Sequence, residues 1–386
     1  MKITKVEPIL VDRYLFVQVH TDEGLVGLGE SGAWGFHESA YAAVTKFGEY
    51  LLGEDPLRIE HHWQYMYRAF HFRGADIMGA LSAIDIALWD LAGQYRDAPV
   101  HALLGGVVRE RARVYQHVVG STRQELVDGV KAAKEQGFTA VGHLTPFLDE
   151  DRSVPYFSTH AAKINHAIEA VAAYRDAVGH DVDLCIEVHR RLTPAEAVQL
   201  GAGIAQFHPQ FLEDPVTPDN FDEMEYVASR IDVPIATGER LTSIWEFAML
   251  LRRSAVQFVR PNVGMVGGIT GTKKVAALAE AQHVGVVPHN PLSPVLTAAS
   301  LQIAAAIPNF SLLEYPGRTW HSLLADRPAG DEIVTGQPAY DGRGYLLVDD
   351  SPGIGVKLRP DVTERVPYVP RPIKARLNVD GSVIDQ

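Results

Sequence analysis

Apolar and polar residues alternate with a period of two in three short runs at the start of the chain, Ile3 to Val11, Leu15 to His20 and Leu25 to Gly29. This alternation puts every second side chain on one face and predicts an antiparallel meander, with Asp22-Glu23-Gly24 as the turn between the last two runs. The period then lengthens. Ser39 to Leu52 and Ile77 to Gln94 read as helices, the second carrying Ile77, Leu81, Ile84, Leu88 and Leu91 at helical spacing. An α+β unit is therefore predicted over residues 1–112.

From Val114 onward the pattern is short apolar runs, each followed by an amphipathic stretch, the signature of parallel βαβ construction. The predicted strands are Val114 to Val118, Ala140 to Leu144, Asp183 to Val188, Phe211 to Leu212, Ile235 to Ala236, Phe258 to Val259, Val284 to Val287 and Ser311 to Leu313. Thr122 with Glu125, Thr193 with Glu196, and Ser243 with Glu246 have the spacing of capping boxes that open helices, and Pro194 suits a first helical position. Eight such units close most naturally into a (β/α)8 barrel over residues 113–336, with a doubly wound open sheet as the competing arrangement. Residues 337–386 contain many Pro, Gly and Asp and are expected to pack back on the first unit, completing the cap over the barrel.

Composition narrows the function. Of the 386 residues 46% are hydrophobic and 22% charged, which suits a folded globular protein and excludes disordered or fibrous classes. The net charge of -13, without any run of Lys and Arg interleaved with aromatics, gives nucleic acid no electrostatic footprint. An acidic small molecule remains a natural ligand if a cation reverses the field locally. Cys185 is the single cysteine, so no intrachain disulfide forms, and it is expected to be a small buried hydrophobe. No apolar stretch reaches membrane-spanning length and the N-terminus has no secretory pattern, so no membrane association and a cytoplasmic location are expected.

Three glutamates stand at the ends of consecutive predicted strands, Glu187 in CIEVH, Glu213 in FLEDP and Glu239 in ATGER, 26 residues apart from 187 to 213 and again from 213 to 239. One βα unit has about that length, so the carboxylates should share a height at the C-terminal mouth of the barrel. Converging carboxylates repel unless a cation neutralises them. Oxygen-only ligation suits Mg2+, with Mn2+ the near competitor. The register continues with Asn262 in RPN, His289 in VVPHN and Glu314 in LLEYP, at intervals of 23, 27 and 25 residues. His189 lies two residues past Glu187 and, on an extended strand, would face the same side. Two histidines flanking a cation suit an elimination, one as base and one as acid.

In these pieces the chain resembles the enolase superfamily, in its mandelate racemase and acid-sugar dehydratase branch. The resemblance spans nearly the whole chain: the N-terminal meander, SAIDIALWDLAG at Ser82 to Gly93, LLGG at Leu103 to Gly106, the three strand-end glutamates, GMVGGIT at Gly264 to Thr270 and PHNPLSPV at Pro288 to Val295. It implies a capping domain over a barrel, one Mg2+ held by Glu187, Glu213 and Glu239, and abstraction of the proton alpha to a carboxylate through an enolate. It further implies a lyase of carbohydrate catabolism that removes water from an aldonate-type sugar acid to give a 2-keto-3-deoxy acid. In that scheme His289 is the base, His189 the acid that protonates the leaving hydroxyl, and Glu314 a hydrogen-bond partner of the substrate carboxylate.

Two positions depart from the family pattern. Asn262 stands where an Asp partner of the base is usual; it can orient the imidazole but supplies no charge, so a weaker base is expected. The second predicted strand offers His143 and Thr145 where other branches carry lysines, which excludes a second-strand lysine mechanism. Candidate substrate contacts are Glu314, Asn262, Arg260 and His143 at the mouth, with Trp34 and Arg73, the latter in the run His71-Phe72-Arg73, from loops of the cap and Tyr156 as a weaker one. Gly264, Gly267 and Gly268 lack the dinucleotide fingerprint and are expected to serve a tight strand-to-helix turn. The alternatives to a dehydratase are an epimerase or cycloisomerase using the same enolate, and a metal-dependent sugar-acid binding protein without catalysis. A homo-oligomer is expected from the resemblance.

Overall fold

The computed structural model describes residues 1–147, 154–317 and 330–384. The chain opens with an antiparallel meander of β1 (Ile3–Val11), β2 (Tyr14–Thr21) and β3 (Val26–Ser31), followed by helices α1 (His37–Leu51), α2 (Ile59–Arg68), α3 (Ala75–Arg96) and the short α4 (Val100–Leu103). The helices α1 and α3 lie where periodicity predicts them. The sequence reading missed α2, because IEHHWQYMYR sets histidines and charges among its apolar residues; its buried side is Ile59, His62, Trp63, Met66 and Tyr67. Helix α3 is almost wholly buried, and Gly27 and Gly29 let β3 approach it so closely that a Cβ at either would collide with its backbone carbonyls.

Eight parallel strands follow: β4 (Arg111–His117), β5 (Ala140–Leu144), β6 (Asp183–Glu187), β7 (Phe211–Glu213), β8 (Ile235–Thr237), β9 (Phe258–Val259), β10 (Gly285–Val286) and β11 (Leu313–Tyr315). They pair in chain order, and β11 pairs in parallel with β4. The remaining seam, between β10 and the approach to β11, is joined by the Val286 to Phe310 bridge, with Val286 N donating to Asn309 O and Ser311 N to Val286 O. The sheet is thus a closed ring, which removes the open-sheet alternative. The helices α5 (Arg123–Glu135), α6 (His160–Val178), α7 (Pro194–Ile204), α8 (Phe221–Ala228), α9 (Ile244–Leu251), α10 (Gly268–Glu280) and α11 (Pro294–Ala306) connect successive strands. Among the described residues, the first helix after the last barrel strand is the one-turn α12 (Gly330–Ile333), so seven longer helices surround the eight strands.

Local chemistry starts these helices as predicted. Thr122 and Thr193 each form a reciprocal capping box with Glu125 and Glu196. The Ser243 side chain accepts from Glu246 N, while the Glu246 carboxylate accepts from the Ser243 hydroxyl and from Thr242 N in place of the Ser243 N–H. Gly267 and Gly268 adopt left-handed backbone at the start of α10, the tight turn predicted for them. Inside the ring Tyr115, Ala140, Cys185, Phe211, Ala236, Val287 and Leu312 form one buried cluster, so the barrel is plugged and only its mouth is open to chemistry.

The C-terminal segment adds β12 (Val334–Thr335), β13 (Tyr345–Leu347), β14 (Lys357–Leu358), α13 (Val362–Arg365), β15 (Arg376–Leu377) and β16 (Val383–Ile384). It touches both layers. Strand β13 pairs antiparallel with β4 of the barrel, while Ile354 N donates to Asp90 and Val369 N to Asp12 O in the cap. No described helix is long and apolar enough to cross a membrane.

The cap and the barrel are joined at helix N-termini. Glu30 on β3 accepts from Ser293 N, from the Ser293 hydroxyl at 2.5 Å and from Leu296 N at the start of α11. Asp85 on α3 accepts from Thr270 N at the start of α10, and Trp63 Nε1 donates to Gly267 O. A carboxylate at a helix N-terminus satisfies amides that have no partner within the helix and faces the positive end of its dipole.

Candidate active site

Strand ends set the geometry of the mouth. Glu187 closes β6 and Glu213 closes β7, paired in register with each other; Glu239 lies two residues past β8. Among the described residues, one group of carboxylates could hold a metal ion, Glu187, Asp214 and Glu239, whose ligand oxygens all lie within 4.8 Å of one another. Glu187 and Glu239 thus come together as expected, but the third member of the compact group is Asp214. The Glu213 carboxylate is engaged by the Arg260 guanidinium. Strand alternation explains the exchange in part: consecutive residues 213 and 214 cannot face the same way on a strand, and Asp214 leaves the strand with left-handed backbone (φ 43°), which turns it back into the mouth.

The same device delivers the histidines. His189 was expected to face Glu187 by strand alternation, yet β6 ends at Glu187, and His189 and Arg190 form a left-handed turn (φ 48° and 63°). That turn still brings His189 Nε2 within 3.6 Å of Glu187 Oε1. His143 is likewise left-handed (φ 52°) at an irregularity of β5 between Val141 and Leu144. Its ring lies 5.0 Å from that of His117 and 5.2 Å from that of His189, so β4, β5 and β6 present three imidazoles side by side. Left-handed backbone at a residue with a side chain costs on the order of 1 kcal/mol, and its recurrence here is the strain expected where function fixes side-chain direction. On the other side of the mouth His289 Nε2 is 3.2 Å from Glu239 Oε2, and Asn262 Nδ2 is 3.0 Å from His289 Nδ1.

The charges do not balance. Five carboxylates, Glu187, Glu213, Asp214, Glu239 and Glu314, face two guanidinium groups. Arg190 donates to Asp214 at 2.6 Å and to Glu239 at 2.5 Å, while Arg260 binds Glu213 and Glu314. Burial, with the charges of Glu213 and Glu239 added, pushes the Glu187 carboxyl well above its ordinary range. Burial likewise raises Glu213 even against Arg260. For Glu239 burial is outweighed by His289 and Arg190, which hold it well below the usual carboxylate value. Glu187 Oε1 is buried and has no hydrogen-bond partner. An all-oxygen group, short of positive charge and with an orphaned buried oxygen, fits a hard divalent cation.

Other predicted residues are placed differently. Glu314 accepts from His117 Nε2 (2.6 Å), Asn290 N (2.8 Å) and Arg260, and Arg260 holds it well below the usual carboxylate range against the cost of burial. Both of its oxygens are engaged by these donors, and it anchors Arg260 and His117. Arg260 is fully buried and also donates to the Tyr115 hydroxyl. Arg73 donates to the Tyr67 hydroxyl and lies 4.1 Å over that ring, joining the Trp63, Tyr67 and Trp245 stack at the rim. Trp34 is half-exposed beneath Arg371, Phe72 is largely exposed, and Tyr156 pairs through its backbone with the C-terminal segment. Sequence reasoning missed Asp214, Arg190 and His117. The first two adjoin predicted residues, and His117 could have been found by alternation from Tyr115 along β4.

Comparison with known proteins identifies the family. Residues 4–105 match the mandelate racemase / muconate lactonizing enzyme N-terminal domain and residues 125–362 the enolase C-terminal domain-like family. The chain belongs to this family. It is 34% identical to a D-galactonate dehydratase family member of Streptomyces bingchenggensis, covering 96% of this chain and 94% of that protein. It is 36% identical to a D-galactonate dehydratase of Cronobacter sakazakii, covering 78% of each. Among solved structures, an Agrobacterium radiobacter enolase with bound sodium and L-malate superposes with a TM-score of 0.91 at 29% identity over all of both chains. An enolase of Pantoea ananatis with bound D-gluconate and magnesium gives 0.90 at 27%, again over all of both chains. With dehydratases among its relatives over most of its length, the chain is a hydro-lyase of the enolase superfamily.

Proposed function

We propose that this protein removes water from an aldonate-type sugar acid, giving the 2-keto-3-deoxy acid, with Mg2+ as cofactor. The observation that carries the reading is the cluster of buried, under-neutralised carboxylates flanked by His189 and His289 at 3.6 and 3.2 Å. Glu187, Asp214 and Glu239, with Glu213 beside Glu187, would hold the ion. When bound, it supplies charge stabilisation for the dianion that develops on the substrate carboxylate, which an imidazole base alone could not generate near neutral pH.

The residues of the chain do the rest. Arg190 holds Asp214 and Glu239 in place, and Arg260 holds Glu213 and Glu314. His189 and His289 stand on opposite sides of the cluster, where one can exchange a proton with the carbon beside the carboxylate and the other can address the hydroxyl on the next carbon. His143 is pushed down to about 4 by desolvation and by His117, so it is a neutral imidazole able both to donate to and to accept from substrate hydroxyls. Residues 1–112 cap the barrel of residues 113–336, with 337–386 laid against both, and the molecule associates with copies of itself.

The test is a panel of aldonic and aldaric acids incubated with the protein and Mg2+ and followed by proton NMR. A new methylene signal next to a keto carbon is expected for at least one acid, and its loss on chelation of the metal. Epimerised acid without any methylene, or no change across the panel, would overturn the reading.

A further inference from the structure

We propose that Arg190 sets the charge of the carboxylate group at the mouth, matching it to a divalent cation and disfavouring ions of higher charge. Arg190 is a positioning residue that acts through Asp214 and Glu239. This role rests on the reading of that group as a cation site, whichever acid is turned over.

The fold brings one guanidinium to the ends of three strands. Strand β6 ends at Glu187, and a left-handed turn follows at His189 and Arg190 (φ 48° and 63°). The turn is pinned to the end of β7, since Val188 N donates to Glu213 O at 3.3 Å and Arg190 N to Asp214 O at 2.8 Å. From there the side chain reaches past β8: Nη1 donates to Asp214 Oδ2 at 2.6 Å and to Glu239 Oε1 at 2.5 Å. Asp214 is held by its other oxygen as well, where the Thr237 hydroxyl donates to Oδ1 at 2.5 Å. The Arg190 side chain is only 5% exposed, so it is a fixed part of the site.

The compact group comprises Glu187, Asp214 and Glu239, and the single nitrogen Nη1 touches two of the three. A guanidinium stays charged throughout the pH range in which proteins are folded, and carboxylates that ligate a cation are ionised. Three negative charges and one positive leave two negative, which a divalent cation balances. Without Arg190 the same oxygens carry three, and the ion that balances them is trivalent. Arg260 does not enter this count. It is fully buried, binds Glu213 and Glu314 and donates to the Tyr115 hydroxyl of the barrel plug, so its charge serves carboxylates outside the compact group.

Two positive centres on shared carboxylates also repel. The ligand oxygens of the group all lie within 4.8 Å of one another, and at such range the repulsion from the guanidinium grows in proportion to the charge of the ion. Arg190 therefore lowers affinity for every cation, and more steeply as the charge rises. The logarithm of a binding constant follows that energy, so removing the guanidinium changes the constants of a divalent and a trivalent ion roughly as two to three in their logarithms. A residue that served only to hold the backbone would weaken both ions together when removed.

Binding of Mn2+ and of Tb3+ to the protein, freed of other metals by a chelator and measured without any acid, tests this. In Arg190→Met the dissociation constant should fall about 10-fold for Mn2+ and about 30-fold for Tb3+. Its melting temperature in chelator should drop, because three carboxylates lose their counter-charge. Arg190→Lys keeps the charge and should leave both constants within about threefold of the parent. If Arg190→Met does not fold, Arg190→Gln replaces it; its amide can still donate to Asp214, and the same ratio is expected. Weaker binding of either ion in the neutral variant, equal changes for the two ions, or the same tightening in Arg190→Lys overturns the proposal. Failure of the parent protein to dehydrate any acid counts against the dehydratase reading alone, because these constants are read without substrate.

Discussion

Two sets of buried carboxylates, one at the seam between cap and barrel and one at the barrel mouth, show how the same side chain serves opposite ends. At the seam, Glu30 accepts three hydrogen bonds, and between the cap and the C-terminal segment Asp90 accepts from Leu28 N, Gln94 Nε2 and Ile354 N, so every oxygen of these two is occupied by a fixed donor, whereas Asp85 at the seam has one oxygen without a hydrogen-bond partner. At the mouth, five carboxylates share two arginines, and Glu187 Oε1 has no hydrogen-bond partner. Backbone amides consume a carboxylate and make it structural. Where they are withheld, the carboxylate remains available to a ligand, and the fold stores the electrostatic cost.

The largest effect should come from breaking the mouth. Glu187→Gln removes a negative charge from the under-neutralised cluster and a ligand from the site. Turnover is expected to fall by about 10³-fold or more, while the melting temperature measured in chelator rises, since a repulsive buried charge is gone. A melting temperature that drops would show that the cluster is built like the seam. Glu30→Ala is the opposite experiment. It leaves Ser293 N and Leu296 N buried without a partner and should destabilise the protein by about 3 kcal/mol, seen as a lower melting temperature. An unchanged melting temperature would remove the distinction between the two sets.

Asp85 gives the smallest and sharpest test. One of its oxygens accepts from Thr270 N while the other has no hydrogen-bond partner, and burial raises its carboxyl from 3.8 to about 7. The folded chain therefore keeps a proton that the unfolded chain releases near pH 4. The stability this contributes is fully present below that pH and is lost as pH rises through 7. Burial raises Glu30 and Asp90 to about 7 as well, so melting temperature should decline between pH 5 and pH 8, and Asp85→Asn should make the decline shallower by roughly 2 °C. An equally steep profile in the variant would assign the decline to other groups.

Much of this was legible in the chain because it depends on local rules. Strand periodicity gave the barrel, since every strand must bury the same way for the ring to close. The helix starts at Thr122 and Thr193 were readable because a capping box is completed within four residues. The spacing of Glu187, Glu213 and Glu239 placed them at one height because one βα unit repeats. Strand β11 lies two residues beyond its predicted start, since Ser311 spends its N–H on the bond to Val286 that closes the seam.

What the sequence determined by itself is the architecture and the inventory: eight strands, a cap, strand-end carboxylates and two histidines to work with them. What only the tertiary structure decided is direction and partnership. Left-handed backbone at His143, Arg190 and Asp214 turns side chains where alternation would not send them, Arg260 reaches across the ring to take Glu213 and Glu314, and Gly264 N–H selects which end of the Asn262 amide meets His289. Periodic rules fix which face of an element is buried. The assignment of each donor to each acceptor depends on contacts between residues far apart in the chain, and no local pattern encodes those.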